Sequence, residues 1–176
     1  MKIYYHDDDN TTDKQLPHET SETVSVEELK KLGVLAYHYD NLEDVDKLAS
    51  ERSYVSRDEV LITPESFGAD RAIYESKLTS FYAEHLHEDE EIRYILDGAG
   101  YFDVRDASQS RWIRALLEKG DLLILPAGIY HRFTLTTENN VKALRLFREE
   151  PKWIAYNRPE ADGNVYRNEY LKEIGV

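Results

Sequence analysis

The chain has 176 residues, 41% of them hydrophobic and 32% charged, enough for one folded domain with its own core and too apolar for a disordered chain. Lys and Arg number 22 against 35 Asp and Glu, a formal net charge of −13 that repels a phosphate backbone and argues against a nucleic-acid partner. Cysteine is absent, which excludes disulfides, thiolate metal sites and cysteine nucleophiles and leaves carboxylate, imidazole and hydroxyl chemistry.

In chain order, residues 2–5 read as an opening strand. Ser25-Val26-Glu27-Glu28 has the form of a capping box, with Leu29 and Leu32 on one helical face and Gly33 placed to end the helix. Residues 34–39 read as a strand. Residues 41–52 read as a second helix, because Leu42, Val45, Leu48 and Ala49 recur three and four apart. Residues 64–68 form a loop, and 69–80 a third helix marked by Ala72, Ile73, Leu78 and Phe81.

From Glu84 onward the punctuation becomes strand-like. Strands are expected at 92–96, 101–104, 112–117, 122–125, 130–136 and 142–147. Asp97-Gly98-Ala99-Gly100 reads as a hairpin turn, and Lys119-Gly120-Asp121 and Pro126-Ala127-Gly128 read as further turns. Short strands without helices between them argue an antiparallel sandwich or barrel. The expectation is a single, mainly β domain: a mixed α/β part over 1–80, a barrel core over 81–150, and a polar, aromatic tail over 151–176 packed on the barrel. No apolar run approaches the roughly 18 residues of a membrane helix. Met1 to Asn10 has neither the apolar core of a signal peptide nor the Arg-rich composition of a transit peptide. A soluble cytoplasmic monomer is expected, with the nucleus left open as a second location.

The chemistry concentrates in histidines. His85-Leu86-His87 places two imidazoles on one side of an extended strand, roughly 6.6–7 Å apart along the chain. At that spacing both can reach one ion at about 2.1 Å from each nitrogen. Glu91 follows four residues later with the same parity, and a carboxylate added to imidazoles suits a divalent transition metal. Downstream stands Gly120-x5-Pro126-x-Gly128-x2-His131. The two blocks resemble the paired motifs of the cupin superfamily, whose small jelly-roll barrel brings His, His, Glu and His to one interior metal. Thr79 and Leu135 depart from the usual glycine and asparagine of that pattern. Arg93 shares the parity of Glu91 and so faces the barrel interior. A guanidinium there needs an anion, either a neighbouring carboxylate or a substrate oxygen. Phe133 shares a face with His131, and Phe81 has the parity of His85; each is a candidate pocket wall. His6, His18 and His38 lack a partner at useful spacing and read as surface or satisfied core.

The resemblance extends beyond the superfamily. Phe81-Tyr82-Ala83-Glu84-His85-Leu86-His87-Glu88-Asp89-Glu90-Glu91-Ile92-Arg93-Tyr94 is similar to the signature of the acireductone dioxygenases of methionine salvage. So are the stretches from Gly98 to Asp106, from Gly120 to Leu135 and from Lys142 to Phe147, with Trp153 beyond them. The resemblance implies one Fe(II) or Ni(II) per chain, held by His85, His87, Glu91 and His131, and O2 as co-substrate. It implies a small-molecule substrate, 1,2-dihydroxy-5-(methylthio)pent-1-en-3-one. The iron form would give 4-methylthio-2-oxobutanoate and formate; the nickel form would give 3-methylthiopropionate, formate and carbon monoxide. Arg93 would hold the substrate anion, with Phe81, Phe133, Arg145 and Trp153 as further pocket candidates. Rival readings are another cupin metalloenzyme, such as an isomerase or a different dioxygenase, and a non-catalytic cupin binding module.

Overall fold

The structure is a computed structural model that describes residues 1–152 and 154–176. The amino-terminal part contains β1 (Lys2–His6), β2 (Glu19–Thr23), α1 (Val26–Lys31), β3 (Leu35–His38), α2 (Leu42–Glu51), β4 (Ser56–Ile62) and α3 (Arg71–Tyr82). The helix starts carry the side chains that satisfy free amide groups: Ser25 and Glu28 close the capping box on α1, Asn41 caps α2 and Asp70 caps α3. Then follow β5 (His85–Leu86), β6 (Glu91–Arg105), β7 (Trp112–Glu118), β8 (Asp121–Leu125), β9 (His131–Leu135) and β10 (Val141–Phe147). The chain closes with β11 (Tyr156–Asn157), a 3-10 turn at Glu160–Gly163 and α4 (Val165–Ile174).

Strand pairing is antiparallel throughout the described residues. One layer runs β2-β1-β7-β6-β9-β5-β11. The other runs β4-β10-β6-β8-β3. β6 belongs to both, because its first half pairs β10 and β8 and its second half pairs β7 and β9.

This corrects the expected hairpin at Asp97–Gly100. β6 runs through those residues without reversing, over 15 residues. Leu96 is the extra residue of a bulge opposite β10, where the register slips between Lys142 and Ala143, and Gly98, two residues on at φ +73°, pairs with Val141. The Ala99 amide donates to the Asn140 carbonyl at 3.1 Å, and a Cβ on Gly98 would run into that carbonyl. A glycine pair signals a hairpin only when the flanking strands pair with each other. Here each flank finds other partners, and the glycine bends the strand from one layer into the other.

Alternation along β6, β8 and β10 sorts residues between two cores. Ile95, Leu123, Leu125, Val141 and Ala143 point into the barrel. Ile92, Tyr94, Leu122, Ile124, Leu144 and Leu146 point the other way, against Val45, Leu48 and Ala49 of α2. Arg93 therefore falls on the inner face by the same period of two. In the carboxy-terminal segment Tyr170 is 2% exposed, and its hydroxyl donates to the Leu32 carbonyl at the end of α1 at 2.9 Å. No helix among the described residues is long and apolar enough to cross a membrane.

Candidate metal centre

β5 with the residue that follows it, β6 and β9 deliver four of the expected residues to one place. His85 is the register partner of His131 across β5 and β9, and Glu91 opens β6. The three imidazole centroids lie 4.5, 5.0 and 5.2 Å apart. Glu91 Oε2 lies 3.0 Å from His131 Nε2 and 3.1 Å from His87 Nε2.

The outer edge of each ring is committed to the main chain. Nδ1–H of His85 donates to the Ala83 carbonyl at 2.6 Å, that of His87 to Ile154 at 2.6 Å, and that of His131 to Ile129 at 3.0 Å. These bonds select the tautomer whose Nε2 carries a lone pair. Burial, reinforced by His131, pushes His85 down to about 4, so this ring stays neutral through the physiological range. For His87 burial acts downward too, but the hydrogen bond and charge of Glu91 outweigh it and raise the pKa. Burial alone would raise Glu91; the Arg93 guanidinium and the imidazoles overcome it and hold the carboxyl well below the usual range.

Arg93 does face inward. Its Nη2 lies 3.4 Å from Glu91 Oε1 and its Nη1 donates to the Ile92 carbonyl at 3.0 Å. The carboxylate partner is thus on its own strand rather than on a neighbouring one. A cavity of about 290 Å³ opens above these groups, within the range of small-molecule sites. Val60, Ile62, Ile95, Phe102, Val141 and Ala143 form its apolar walls. Phe133 lines it from β9, as its shared face with His131 required. Phe81 reaches it from the last turn of α3, so its place owes nothing to strand parity; its ring meets that of Phe133 edge-on at 6.1 Å. Arg145 also lines the cavity. Trp153 lies outside the described residues.

Asp58 was not visible in the sequence. It sits on β4, a strand that the charged run Ser56-Arg57-Asp58-Glu59 disguises, and accepts two hydrogen bonds of 2.7 Å from Arg145. The period-2 signal was present: Arg57, Glu59 and Leu61 are exposed, while Asp58, Val60 and Ile62 turn inward.

His6 and His18 are also not isolated. Both are buried, stacked at 4.5 Å and close to Asp7. Their planes lie within 15° of parallel, so the in-plane lone pairs do not converge, and His6 Nδ1 already accepts from the Asp8 amide. His6 Nε2 has no hydrogen-bond partner among the described residues, but the near-parallel rings do not aim their nitrogens at one point, and no second centre is assigned to them. His38 bonds Asp121 and Asp40 at the surface.

An interior cluster of three histidines and a carboxylate, set in an antiparallel barrel of this topology, defines a cupin-type enzyme. The chain belongs to the acireductone dioxygenase family: the model of the ARD/ARD' family matches residues 2–155. It is 62% identical over 176 residues to an acireductone dioxygenase of Yarrowia lipolytica, covering 100% of both chains. It is 54% identical to that of Saccharomyces cerevisiae, over 99% of this chain and 98% of the other. In fold it is similar to an acireductone dioxygenase from Bacillus anthracis with a cadmium ion in its active centre. That likeness has a TM-score of 0.68 at 21% identity and covers 88% of this chain and 96% of the other.

Proposed function

We propose that the chain cleaves 1,2-dihydroxy-5-(methylthio)pent-1-en-3-one with O2 at one divalent metal ion held by His85, His87, Glu91 and His131. The observation that carries this reading is the approach of Glu91 Oε2 to two imidazole nitrogens at 3.0 and 3.1 Å. Both rings have given their Nδ1–H to carbonyls, so in the neutral rings lone pairs face a carboxylate oxygen. Such an arrangement repels itself unless a metal cation lies among the atoms or a proton sits on Nε2, and the raised pKa of His87 reflects the same demand for positive charge. Three neutral nitrogens and one carboxylate suit a first-row ion such as Fe(II) or Ni(II). When bound, the ion would supply Lewis acidity and a template for the substrate's enediolate oxygens.

The chain's own groups do the rest. Arg93 offers a guanidinium fork to the anionic substrate oxygen from the inner face of β6. Phe81 and Phe133 close the cavity above the histidines and keep water from the electron-rich enediolate. The apolar wall of Ile62, Ile95, Val141 and Ala143 takes the methylthio tail. The iron form gives 4-methylthio-2-oxobutanoate and formate and so serves methionine salvage; the nickel form gives 3-methylthiopropionate, formate and carbon monoxide. The names of the curated relatives support the substrate.

The test pairs metal analysis with product identification after reloading with Fe(II) or Ni(II). One ion per chain, O2 uptake and formate release are expected with both metals, and carbon monoxide with nickel alone. His131→Ala should lose metal and turnover together; a variant that keeps full activity rejects the centre.

A further inference from the structure

We infer that Arg167, on the carboxy-terminal helix α4, is a positioning residue for the metal centre and acts through the Gly128 turn; the inference rests on the metal reading above. α4 lies beyond residues 2–155, the part matched by the family model. Arg167 is 4% exposed, yet no carboxylate bonds it among the described residues. Its Nη1 donates to the Gly128 carbonyl at 3.2 Å and its Nη2 to Gln109 Oε1 at 2.6 Å. Its guanidinium carbon lies 4.4 Å from the Tyr130 ring centroid and 5.6 Å from that of Tyr170. Burying a charge against neutral acceptors is expensive, and a planar fork that joins three segments is what the guanidinium supplies in return.

The segment it grips leads to two of the four proposed ligands. The Gly128 amide donates to the His87 carbonyl at 2.9 Å, so the same turn is bonded to Arg167 on one side and to His87 on the other. Next in the chain, the Ile129 carbonyl accepts Nδ1–H of His131, and Tyr130 stacks on Arg167. Gly128 has φ +81°, and a Cβ there would strike the Tyr166 main chain, so α4 sits directly on the turn. Arg167 thereby sets the spacing between the main chains that carry His87 and His131.

The experiment measures Co(II) affinity by chelator competition, the visible spectrum of the Co(II) form, and the melting temperature of the metal-free protein. Wild type, Arg167→Met, Arg167→Lys and Gln109→Ala are compared. Arg167→Met should weaken Co(II) binding at least about tenfold and alter the ligand-field bands. Arg167→Lys, which keeps one donor for the Gly128 carbonyl, should recover part of both and carries the comparison if the Met variant does not fold. Gln109→Ala cuts the other arm of the fork and should lower the melting temperature while leaving Co(II) affinity within twofold of wild type. Arg167→Met with wild-type affinity and spectrum, whatever its melting temperature, overturns the positioning role and leaves the metal centre standing, as does Arg167→Lys at wild-type values where the Met variant does not fold. Wild type that binds no Co(II) overturns both.

Discussion

Arg93 and Arg145 stand opposite each other as register partners on β6 and β10, two guanidiniums lining one cavity. Each has its own carboxylate. Arg93 lies beside Glu91 at 3.4 Å, and Arg145 is gripped at both ends by Asp58, its register partner on β4. Across the three strands the order is Asp58, Arg145, Arg93, so two like charges face each other and each is offset by its own carboxylate. A cation that claims Glu91 leaves Arg93 as the guanidinium whose partner is shared, and hence the one poised for a substrate anion.

Arg93→Ala should leave metal content at the wild-type level, because none of the three imidazoles bonds Arg93. Loss of a charged hydrogen bond of roughly 1.5–3 kcal/mol should lower kcat/KM by about 10- to 100-fold. Metal analysis and steady-state O2 uptake check this together; loss of metal would make Arg93 part of the structural frame of the site.

Beyond the His131 strand lies a second charged row. Asp103 is 0% exposed and accepts from Arg114 at 2.7 and 2.9 Å and from Arg132 at 2.8 Å. Both arginines are its register partners, on β7 and β9. Asp103→Asn strands two buried guanidiniums and should destabilise the protein by about 3–5 kcal/mol. Chemical denaturation measures it, and a loss below about 1 kcal/mol would deny the row its anchoring role.

His6 supplies a pH dependence separate from the metal centre. Burial first, then Arg114, pushes it down to about 4 from 6.5. Between those values the unfolded chain binds the proton and the folded chain does not, so stability falls as pH drops from 6.5 toward 4. It is constant above that window and levels off below it. The loss is on the order of 3 kcal/mol. Urea midpoints for wild type and His6→Asn between pH 4 and 7 should converge toward the acid end; parallel curves would exclude His6 as the source.

Gly98→Ala places a side chain where φ is +73° and the Asn140 carbonyl blocks it. A destabilisation of about 2 kcal/mol or more is expected from backbone strain and the displaced carbonyl together. An unchanged melting temperature would show that β6 tolerates a Cβ at this position.

The amino-acid sequence alone determined what neighbours in the chain can settle. The spacing of His85, His87 and Glu91, the inward parity of Arg93 and the capping box at Ser25 are short-range regularities, readable from 2-residue and 3-residue periods. Tertiary structure alone decided the long-range partners. Asp58 meets Arg145 across 87 residues, and the Ile154 carbonyl orients His87 across 67. It also decided that Gly98 bends a strand instead of turning it, and that Phe81 enters the cavity from a helix. The physical reason is that side-chain direction follows from local backbone geometry, whereas a hydrogen-bond partner depends on which strand packs alongside. Only the closed barrel determines that, through the burial of many residues at once.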